Sequence, residues 1–315
     1  MSSNSVRDSE TGQDPLVSVL VPSYNHDKYV IECLESIKGL NYRRLELILS
    51  DDCSSDRTFE LAEQWVKANA DRFERTLVVQ QEKNLGIVRN LQFLFQSAQG
   101  AYLAYIASDD AFVASAITGR VKLFERNPDI DAVFGNAQLI SESGSVLEEQ
   151  GISKRFAAEL SISGLMISSL ILTSFIPGPV MMLRGEAVLE GGSLGLLPND
   201  LRTEDWYIYL RMAIRGRLRY TNEVVAKYRI MQTSLSRSPS QYKSMIKAAI
   251  HVDCMFRYHL TGINRFLLET RIARWKLELN EGQRIRKRFM RYVVSLQKTL
   301  LFVCALALPK IRISE

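Results

Sequence analysis

Two neighbouring stretches decide the fold of this chain: residues 17–37, VSVLVPSYNHDKYVIECLESI, and residues 46–58, ELILSDDCSSDRT. Each includes a short, mostly apolar run, which is typical of a parallel strand covered on both faces. Tyr24 and Asn25 follow the first run, and Asp51-Asp52 follow the second. In an open α/β sheet, ligands bind beyond the carboxyl ends of the strands. An aromatic ring beside carboxylates suits a base and its ribose, so the pattern predicts a nucleotide site without a glycine-rich phosphate loop.

Strand and helix signals then alternate to about residue 140 and become sparser after residue 150. The alternation predicts a doubly wound α/β domain with a mainly parallel sheet and right-handed crossovers. Strands are predicted at 16–21, 45–49, 76–80, 102–106, 132–140, 180–183 and 223–230. Helices are predicted at 29–40, from 56 to about 69, and at 87–98, 114–127, 160–173, 204–214 and onward from about 240.

Length and composition limit the possible classes of protein. A chain of 315 residues fits one domain of roughly 200–250 residues with an appendage. The four cysteines form no C-x-x-C pair, which favours a reduced, cytoplasmic protein and argues against a zinc site. The first 14 residues are polar, so they predict a disordered tail rather than a signal peptide.

Positive charge is concentrated at the end of the chain. From Thr233 onward there are 16 Lys/Arg and 5 Asp/Glu, a balance of +11, so the preceding body is slightly acidic and the basic pI argues little for nucleic acid. The apolar run Thr299–Leu308 is shorter than the about 20 residues that span a bilayer. Two interpretations stay open for this region. It docks as a basic amphipathic segment, Arg284–Arg291, on anionic headgroups, or it packs on the enzyme or on a second subunit.

Acidic residues gather at the ends of predicted elements, in four groups: Asp51-Asp52, Asp56, Asp109-Asp110 and Glu204-Asp205. Taken alone, each group also fits a solvated loop or, for Asp56, a helix cap. Two carboxylates at a strand tip suit a divalent ion that keeps several waters and bridges a diphosphate. Such an ion neutralises charge on a departing diphosphate. A carboxylate at the start of a helix, Asp205, is free to accept a proton from a hydroxyl.

Six segments in a fixed order carry a resemblance to a known family. Over residues 16–236 the chain resembles the family 2 glycosyltransferases, inverting enzymes that use nucleotide sugars and have a GT-A fold. The segments are VSVLVPSYNHDKYVIECLESI, ELILSDDCSSDRT, NLGIVRNL, AYIASDDAF, TEDWYIYLRMA and YRIMQTSLS.

The resemblance implies a set of donor-binding residues: Pro22, Ser23, Tyr24, Asp52, Arg89 and Asp109. The first three match the loop around the base, and Asp52 matches the carboxylate that binds base or ribose. Arg89 matches a basic residue that contacts the nucleotide. Asn84 and Gly86 match the loop that precedes it.

The resemblance also implies the catalytic and metal-binding residues. Asp109 and Asp110 match the ligands of Mg²⁺ or Mn²⁺ at the diphosphate, and Asp205 matches the catalytic base, followed by the aromatic Trp206. Three further residues match the segment that closes over the diphosphate: Arg229, Ser234 and Ser236. Two positions depart from the family pattern. Ala107 stands where the family often has Asp, and Met231 stands where it often has His.

The sequence therefore predicts an inverting glycosyltransferase that moves a sugar from a nucleoside-diphosphate sugar to a hydroxyl of a glycan or lipid-linked acceptor in surface polysaccharide biosynthesis. We expect residues 15–110 to bind the donor, residues 111–236 to bind the acceptor, and residues 237–315 to form a basic helical extension. We also expect a cytoplasmic enzyme that docks on the inner face of the plasma membrane, with a homo-oligomer as an open alternative. An inactive nucleotide-sugar-binding scaffold and a nucleotidyltransferase are the competing functions.

Overall fold

The structure is a computed structural model that describes residues 14–161, 164–173, 176, 178–231 and 239–279. The predicted tail before Asp14, the serines Ser234 and Ser236, and the basic segment Arg284–Arg291 lie outside the described residues. The chain forms two compact units. The first comprises Met1–Ile152 and Ile176–Ser234, and the second comprises Ser153–Phe175 and Leu235–Glu315.

All strands in the described residues belong to one sheet in the first unit, in the order β3-β2-β1-β4-β8-β6-β9-β5, with β7 paired to β6. The first four strands in the chain are β1 Val17–Ser23, β2 Leu45–Asp51, β3 Arg75–Gln80 and β4 Tyr102–Tyr105. The later strands are β5 Ala111–Phe112, β6 Ala132–Ser141, β7 Val146–Glu148, β8 Met181–Arg184 and β9 Leu218–Ile230.

The strands β3, β2, β1 and β4 run parallel, and β6 pairs in parallel with β9. This arrangement confirms the predicted α/β fold with a mostly parallel central sheet. Antiparallel pairing enters through β8, which lies between β4 and β6, through β7, which pairs with β6, and through the two-residue strand β5. The sequence did not predict β5, because two residues carry too little periodicity to indicate a strand.

Helices connect the strands of the first unit, and further helices make up the second. In the first unit they are α1 Val30–Lys38, α2 Thr58–Ala68, α3 Ile87–Ser97, α4 Thr118–Arg126 and α7 Glu204–Ile214. In the second they are α5 Lys154–Leu160, α6 Met166–Thr173, α8 Pro239–Phe256 and α9 Gly262–Leu279.

The single helix predicted at 160–173 is wrong, because α5 ends at Leu160, Gly164 has a φ of 85°, and α6 begins only at Met166. Two other boundaries differ from the prediction for local reasons. The helix expected from residue 114 begins at Thr118, because residues 114–117 form a turn in which the Ala116 amide donates to the carbonyl of Val113 at 3.0 Å. Strand β9 begins at Leu218 rather than at residue 223, because its pairing with β6 starts there, beyond the apolar run visible in the sequence.

A buried ion pair joins helices within the second unit. The guanidinium of Arg271 donates to Asp253 at 2.8 Å through Nε and to the carbonyl of Ile171 at 3.0 Å through Nη1. Both charged side chains are buried, so each requires the other. Among the described residues, no helix is both long and apolar enough to cross a bilayer.

Candidate active site

The first unit brings the carboxyl ends of β1, β2 and β4 to one edge of the sheet, because these strands are neighbours and parallel. Backbone hydrogen bonds hold the loops that follow them together. The amide of Asp52 donates to the carbonyl of Ser23 at 2.8 Å, and the amide of Ser108 donates to the carbonyl of Pro22 at 3.3 Å. The three loops that carry most of the predicted site residues therefore form one continuous edge.

At the tip of β1, two buried residues are followed by two exposed ones. Pro22 and Ser23 are buried, and the Ser23 hydroxyl donates to Asp51 at 3.2 Å, whereas the Tyr24 side chain is exposed. Asn25 has a positive φ of 54°, a conformation that Asn tolerates better than most residues. Its side-chain oxygen accepts from the amide of Ser55 at 2.8 Å, which fixes the loop that presents the Tyr24 ring.

The two carboxylates at the tip of β2 serve different loops. Asp51 is fully buried and accepts from the amide of Ser54 at 2.8 Å, so it closes its own turn. Asp52 accepts from the amide of Leu85 at 2.6 Å and from that of Gly86 at 2.9 Å. Each Asp52 oxygen retains a lone pair after these bonds. The carboxylate predicted to bind base or ribose thus also anchors the loop that precedes α3.

That loop leads to Arg89. Gly86 has a φ of 80°, and its amide also lies 3.1 Å from the side-chain oxygen of Asn84. Arg89 is exposed on the first turn of α3, and within the described part of the chain it makes no hydrogen bond or ion pair. An exposed guanidinium on a helix start held by Asp52 is available for a ligand.

Asp109 and Asp110, after β4, face different environments. Asp110 is buried, and its Oδ1 accepts from the amide of Arg229 at 2.8 Å. Burial and the neighbouring Asp109 carboxylate raise the pKa of Asp110 well above its ordinary value. The Asp109 side chain is partly exposed and lies 3.7 Å from the His26 ring.

The Arg229 guanidinium is bonded to neighbouring groups and holds this loop in place, so it is not a free cation. Its nitrogens donate to the carbonyls of Asp109 at 2.8 Å and Glu142 at 3.0 Å, and to the Glu32 carboxylate at 2.6 Å. It also lies over the Tyr29 ring, 4.7 Å from the centroid. These bonds occupy Arg229, although the resemblance had matched it to a segment that closes over a diphosphate.

The base predicted from the sequence, Asp205, lies near enough to the end of β4 for its charge to act on the side chain of Tyr105. Burial raises the pKa of Tyr105, and the negative charges of four carboxylates raise it further. In order of effect these carboxylates belong to Glu204, Asp205, Asp110 and Asp109. One tyrosine at the end of β4 therefore lies within electrostatic reach of both acidic pairs. The structure brings together the residues that the sequence could only place at separate element ends.

Glu204 and Asp205 compete for one proton at the start of α7. Burial and the charge of Asp205 raise the pKa of Glu204 to about 8. Burial also raises the pKa of Asp205, but its Oδ1 accepts a 2.6 Å hydrogen bond from the amide of Trp206, which favours the ionised form. Near neutral pH the arrangement favours a protonated Glu204 beside an ionised Asp205.

The sequence offers His26 as one candidate for a phosphate contact because it lies in the nucleotide loop, whereas Ser108 was not among the predicted site residues. Nδ1 of His26 lies 2.9 Å from the Ser108 hydroxyl. The signal was present, because His26 stands two residues after Tyr24 in a predicted ligand-binding loop and Ser108 directly precedes the Asp109-Asp110 pair. What the sequence could not show is that the two loops face each other.

The predicted divalent cation can be tested against the chemistry of these residues. No group of three or more His, Cys, Asp or Glu side chains suited to a metal ion occurs among the described residues. Mg²⁺, however, is usually held by one or two carboxylates, waters and substrate phosphates. The raised pKa of Asp110 beside Asp109 shows two crowded carboxyl groups whose ionised forms a cation would favour. The pair therefore fits a cation whose binding is completed by a ligand.

Comparison with known proteins identifies the family. The profile of Glycosyl transferase family 2 matches residues 18–188, and the chain belongs to this family. The match decides between the functions considered above in favour of a glycosyltransferase. TuaG of Bacillus subtilis (strain 168), a protein named for teichuronic acid biosynthesis, is 28% identical over 228 residues, which are 72% of this chain and 83% of TuaG.

Solved structures of two proteins share the fold. The chain superposes on the S. aureus TarS 1-349 complex with UDP-GlcNAc with a TM-score of 0.62 and 16% identity, covering 83% of this chain and 71% of that one. Against another S. aureus TarS crystal structure it spans 44% of that chain. The mannosyltransferase PcManGT from Pyrobaculum calidifontis, in complex with GDP-Man and Mn²⁺, gives a TM-score of 0.63 and 18% identity, covering 95% of this chain and 82% of that one.

The pKa of Glu204 predicts a pH-dependent effect on stability. The folded-state value of about 8 lies above the ordinary value of 4.5, so between these values the folded protein binds a proton that the unfolded chain lacks. Stability contributed by this proton is lost as the pH rises through 8. Glu204→Gln keeps the neutral form at every pH. We expect its melting temperature, relative to wild type, to be higher at pH 9 than at pH 5.

The exposed Glu74→Gln variant is the control, and its difference from wild type should not change between the two pH values. Equal differences at pH 5 and pH 9 for Glu204→Gln would show that Glu204 is already ionised in the folded protein at low pH.

Proposed function

We propose that this protein is an inverting glycosyltransferase that transfers a sugar from a nucleoside-diphosphate sugar to a hydroxyl group. Two observations carry the proposal: the tips of β1, β2 and β4 form one edge joined by backbone hydrogen bonds, and the charges of Glu204-Asp205 and Asp109-Asp110 both raise the pKa of Tyr105 at the end of β4. A leaving-group site and a proton acceptor on the two sides of one reacting carbon are what a single displacement requires. No protein nucleophile is needed.

The donor binds along the edge formed by β1, β2 and β4. In this proposal Tyr24 and its neighbours enclose the base, and Asp52 accepts from base or ribose through its remaining lone pairs. Arg89 is free to contact the nucleotide. UDP-GlcNAc and GDP-Man in the two structural relatives support a nucleotide-sugar donor. The full donor-binding set is Pro22, Ser23, Tyr24, Asp52, Arg89 and Asp109.

The diphosphate lies at the tip of β4. Asp109 and Asp110 would hold Mg²⁺ or Mn²⁺ together with phosphate oxygens, and Mn²⁺ in the PcManGT complex supports this choice. Such an ion, when bound, supplies positive charge to the departing diphosphate. The chain fixes its own part by burying Asp110 and by bonding it to the Arg229 amide, so that the pair is preorganised for a cation.

Asp205 is the general base of the proposed reaction. The acceptor oxygen attacks the anomeric carbon from the side opposite the diphosphate, so the new C–O bond forms as the bond to the phosphate oxygen breaks and the configuration inverts. The electron pair of the broken bond leaves with the nucleoside diphosphate, and the hydroxyl proton passes to Asp205. Protonated Glu204 limits the negative charge beside it.

The acceptor is a glycan or a lipid-linked glycan in surface polysaccharide biosynthesis. Similarity to TuaG, whose name assigns it to teichuronic acid biosynthesis, supports this pathway class. The loop between β8 and α7 is suited to meet the acceptor, because it leads directly into Glu204-Asp205. Its backbone is held by Gln92, whose side-chain oxygen accepts from the amide of Leu197 at 3.0 Å.

A thermal-shift screen of UDP- and GDP-sugars, with Mn²⁺ or with EDTA, tests the donor proposal. A ligand that binds the folded state raises the melting temperature by mass action. We expect Mn²⁺ to tighten binding of the selected nucleoside diphosphate in calorimetry, and Asp110→Ala to abolish that tightening. The exposed Asp71→Ala is the matched control. Unchanged tightening in Asp110→Ala would remove this residue from the metal site.

Asp205→Asn tests the base. The change preserves shape and removes the proton acceptor, so we expect donor affinity to hold while turnover falls by about 10²–10⁴-fold, the usual contribution of general base catalysis. Glu204→Gln mimics the protonated form and should retain most of the turnover near neutral pH. An inactive Glu204→Gln enzyme beside an active Asp205→Asn enzyme would exchange the two roles.

We also propose that the second unit docks on an anionic membrane surface, where a lipid-linked acceptor would be found. Three large apolar side chains lie within nine residues at the end of the α8–α9 hairpin: Tyr258, Ile263 and Phe266 are 74%, 56% and 57% exposed. The guanidinium groups of Arg257 and Arg265 lie 5.4 and 5.5 Å from the centre of the Tyr258 ring. Aromatic and cationic groups together suit the headgroup region, and the +11 balance from Thr233 onward favours anionic lipid.

Vesicle flotation tests this docking. We expect the protein to bind vesicles that contain phosphatidylglycerol, to be released in part by high salt because headgroup attraction is screened, and to bind several-fold less after Ile263→Asn with Phe266→Asn. Leu147→Asn, equally exposed at 56%, is the control and should bind like wild type. A double variant that changes the oligomeric state and leaves vesicle binding intact would instead make this surface a contact between copies of the chain.

A further inference from the structure

The ring of His26 is held in one orientation between the tips of β1 and β4. Its backbone amide donates to the Thr58 hydroxyl at 2.7 Å, and its ring meets the edge of Tyr29 with centroids 6.4 Å apart. Nδ1 lies 2.9 Å from the fully buried Ser108 hydroxyl. The backbone bond holds the loop that carries His26, and the contacts with Ser108 and Tyr29 orient the ring and thus its second nitrogen.

That second nitrogen, Nε2, is available to a ligand. It lies 3.7 Å from Oδ2 of Asp109, beyond hydrogen-bonding distance, and within the described part of the chain it has no hydrogen-bond partner. The side chains of His26 and Asp109 are 22% and 21% exposed, so solvent or a ligand reaches the gap between them.

The side chains around this gap offer a diphosphate few hydrogen-bond donors. Asp109 and Asp110 are both acidic, and the nearby Arg229 donates its guanidinium hydrogens to Glu32 and to backbone carbonyls. Ala107 contributes no ligand for a cation. A diphosphate at the tip of β4 therefore requires hydrogen-bond donors that Arg229 does not provide.

We propose that Nε2–H of His26 donates a hydrogen bond to an oxygen of the donor's diphosphate, and that Ser108 positions the ring for it. The proposal rests on the proposed function and names a residue of its phosphate site. When the Ser108 hydroxyl donates to Nδ1, the neutral ring carries its proton on Nε2, as this contact needs. A phosphate oxygen is the fitting partner because hydrogen bonds to anionic acceptors are about twice as strong as neutral ones.

The alternative role for Nε2 is as a metal ligand, for which Nδ1 would donate to Ser108. Mg²⁺ favours oxygen ligands over imidazole, so a contact to the phosphate suits the proposed cation better. The two roles differ in one measurable respect. A contact to phosphate strengthens binding of a diphosphate with or without metal, whereas a metal ligand matters only when metal is present.

Calorimetric titration of the full chain with UDP and with UMP, in EDTA and in Mn²⁺, separates the phosphate contact from the metal-ligand role. GDP and GMP replace them if the donor screen selects guanine. We expect His26→Ala to lower the preference for diphosphate over monophosphate by about tenfold in both buffers, the size of one hydrogen bond to a charged group. Affinity for the monophosphate should be unchanged. His26→Gln, whose amide can reach the position of Nε2, should restore most of the preference.

His259→Ala, which removes an exposed histidine of the second unit, is the matched control and should bind like wild type. If His26→Ala does not fold, His26→Asn replaces it, since the shorter amide lacks the reach of Nε2. An unchanged preference in these variants overturns the proposal, and a loss confined to the Mn²⁺ buffer overturns it in favour of a metal ligand. A wild-type protein that binds no nucleotide would overturn the proposed donor site. A change in the His26 variants alone would not, because it concerns only one contact within that site.

Discussion

The crowding of carboxyl groups around Tyr105 is the constraint on which the rest of the site depends. Asp109, Asp110, Glu204 and Asp205 all act on this one buried side chain. Like charges around one side chain repel one another, and the burial of Asp110 and Tyr105 weakens the screening by water. Three features reduce this repulsion. Glu204 retains a proton, the Arg229 amide donates to Asp110, and the Asp109-Asp110 pair is suited to a cation. Chemistry and stability are therefore coupled at this edge.

The sequence predicted the parallel part of the fold well because that part follows from local patterns. Buried runs such as Val17–Ser23 and Leu45–Asp51 are apolar enough to be recognised alone, and their parallel pairing places polar tips on one edge without further information. Strand β8 and the two-residue strand β5 are different. Their antiparallel pairing depends on partners distant in sequence, so no local period could reveal it.

The same distinction applies to the candidate site. Asp52, Asp109 and Asp205 were identified from their positions at element ends, and the structure shows them on connected loops or within reach of Tyr105. The sequence could not show that Arg229 is occupied by its neighbours or that His26 faces Ser108. Both facts depend on side-chain contacts between loops more than 80 residues apart in the chain.

The bond between Asp52 and the start of α3 has a consequence for how phosphate is recognised. Amides at a helix start form a natural seat for an anion, and many nucleotide-binding proteins place phosphate there. Here the amides of Leu85 and Gly86, which lead into α3, donate to the carboxylate of Asp52, so the chain places a negative charge of its own beside this helix start. In the proposed function the phosphates are thereby displaced to β4 while the base stays at β1 and β2. Recognition of the nucleoside and of its phosphates is divided between different strands, so each can diverge in evolution without remodelling the other.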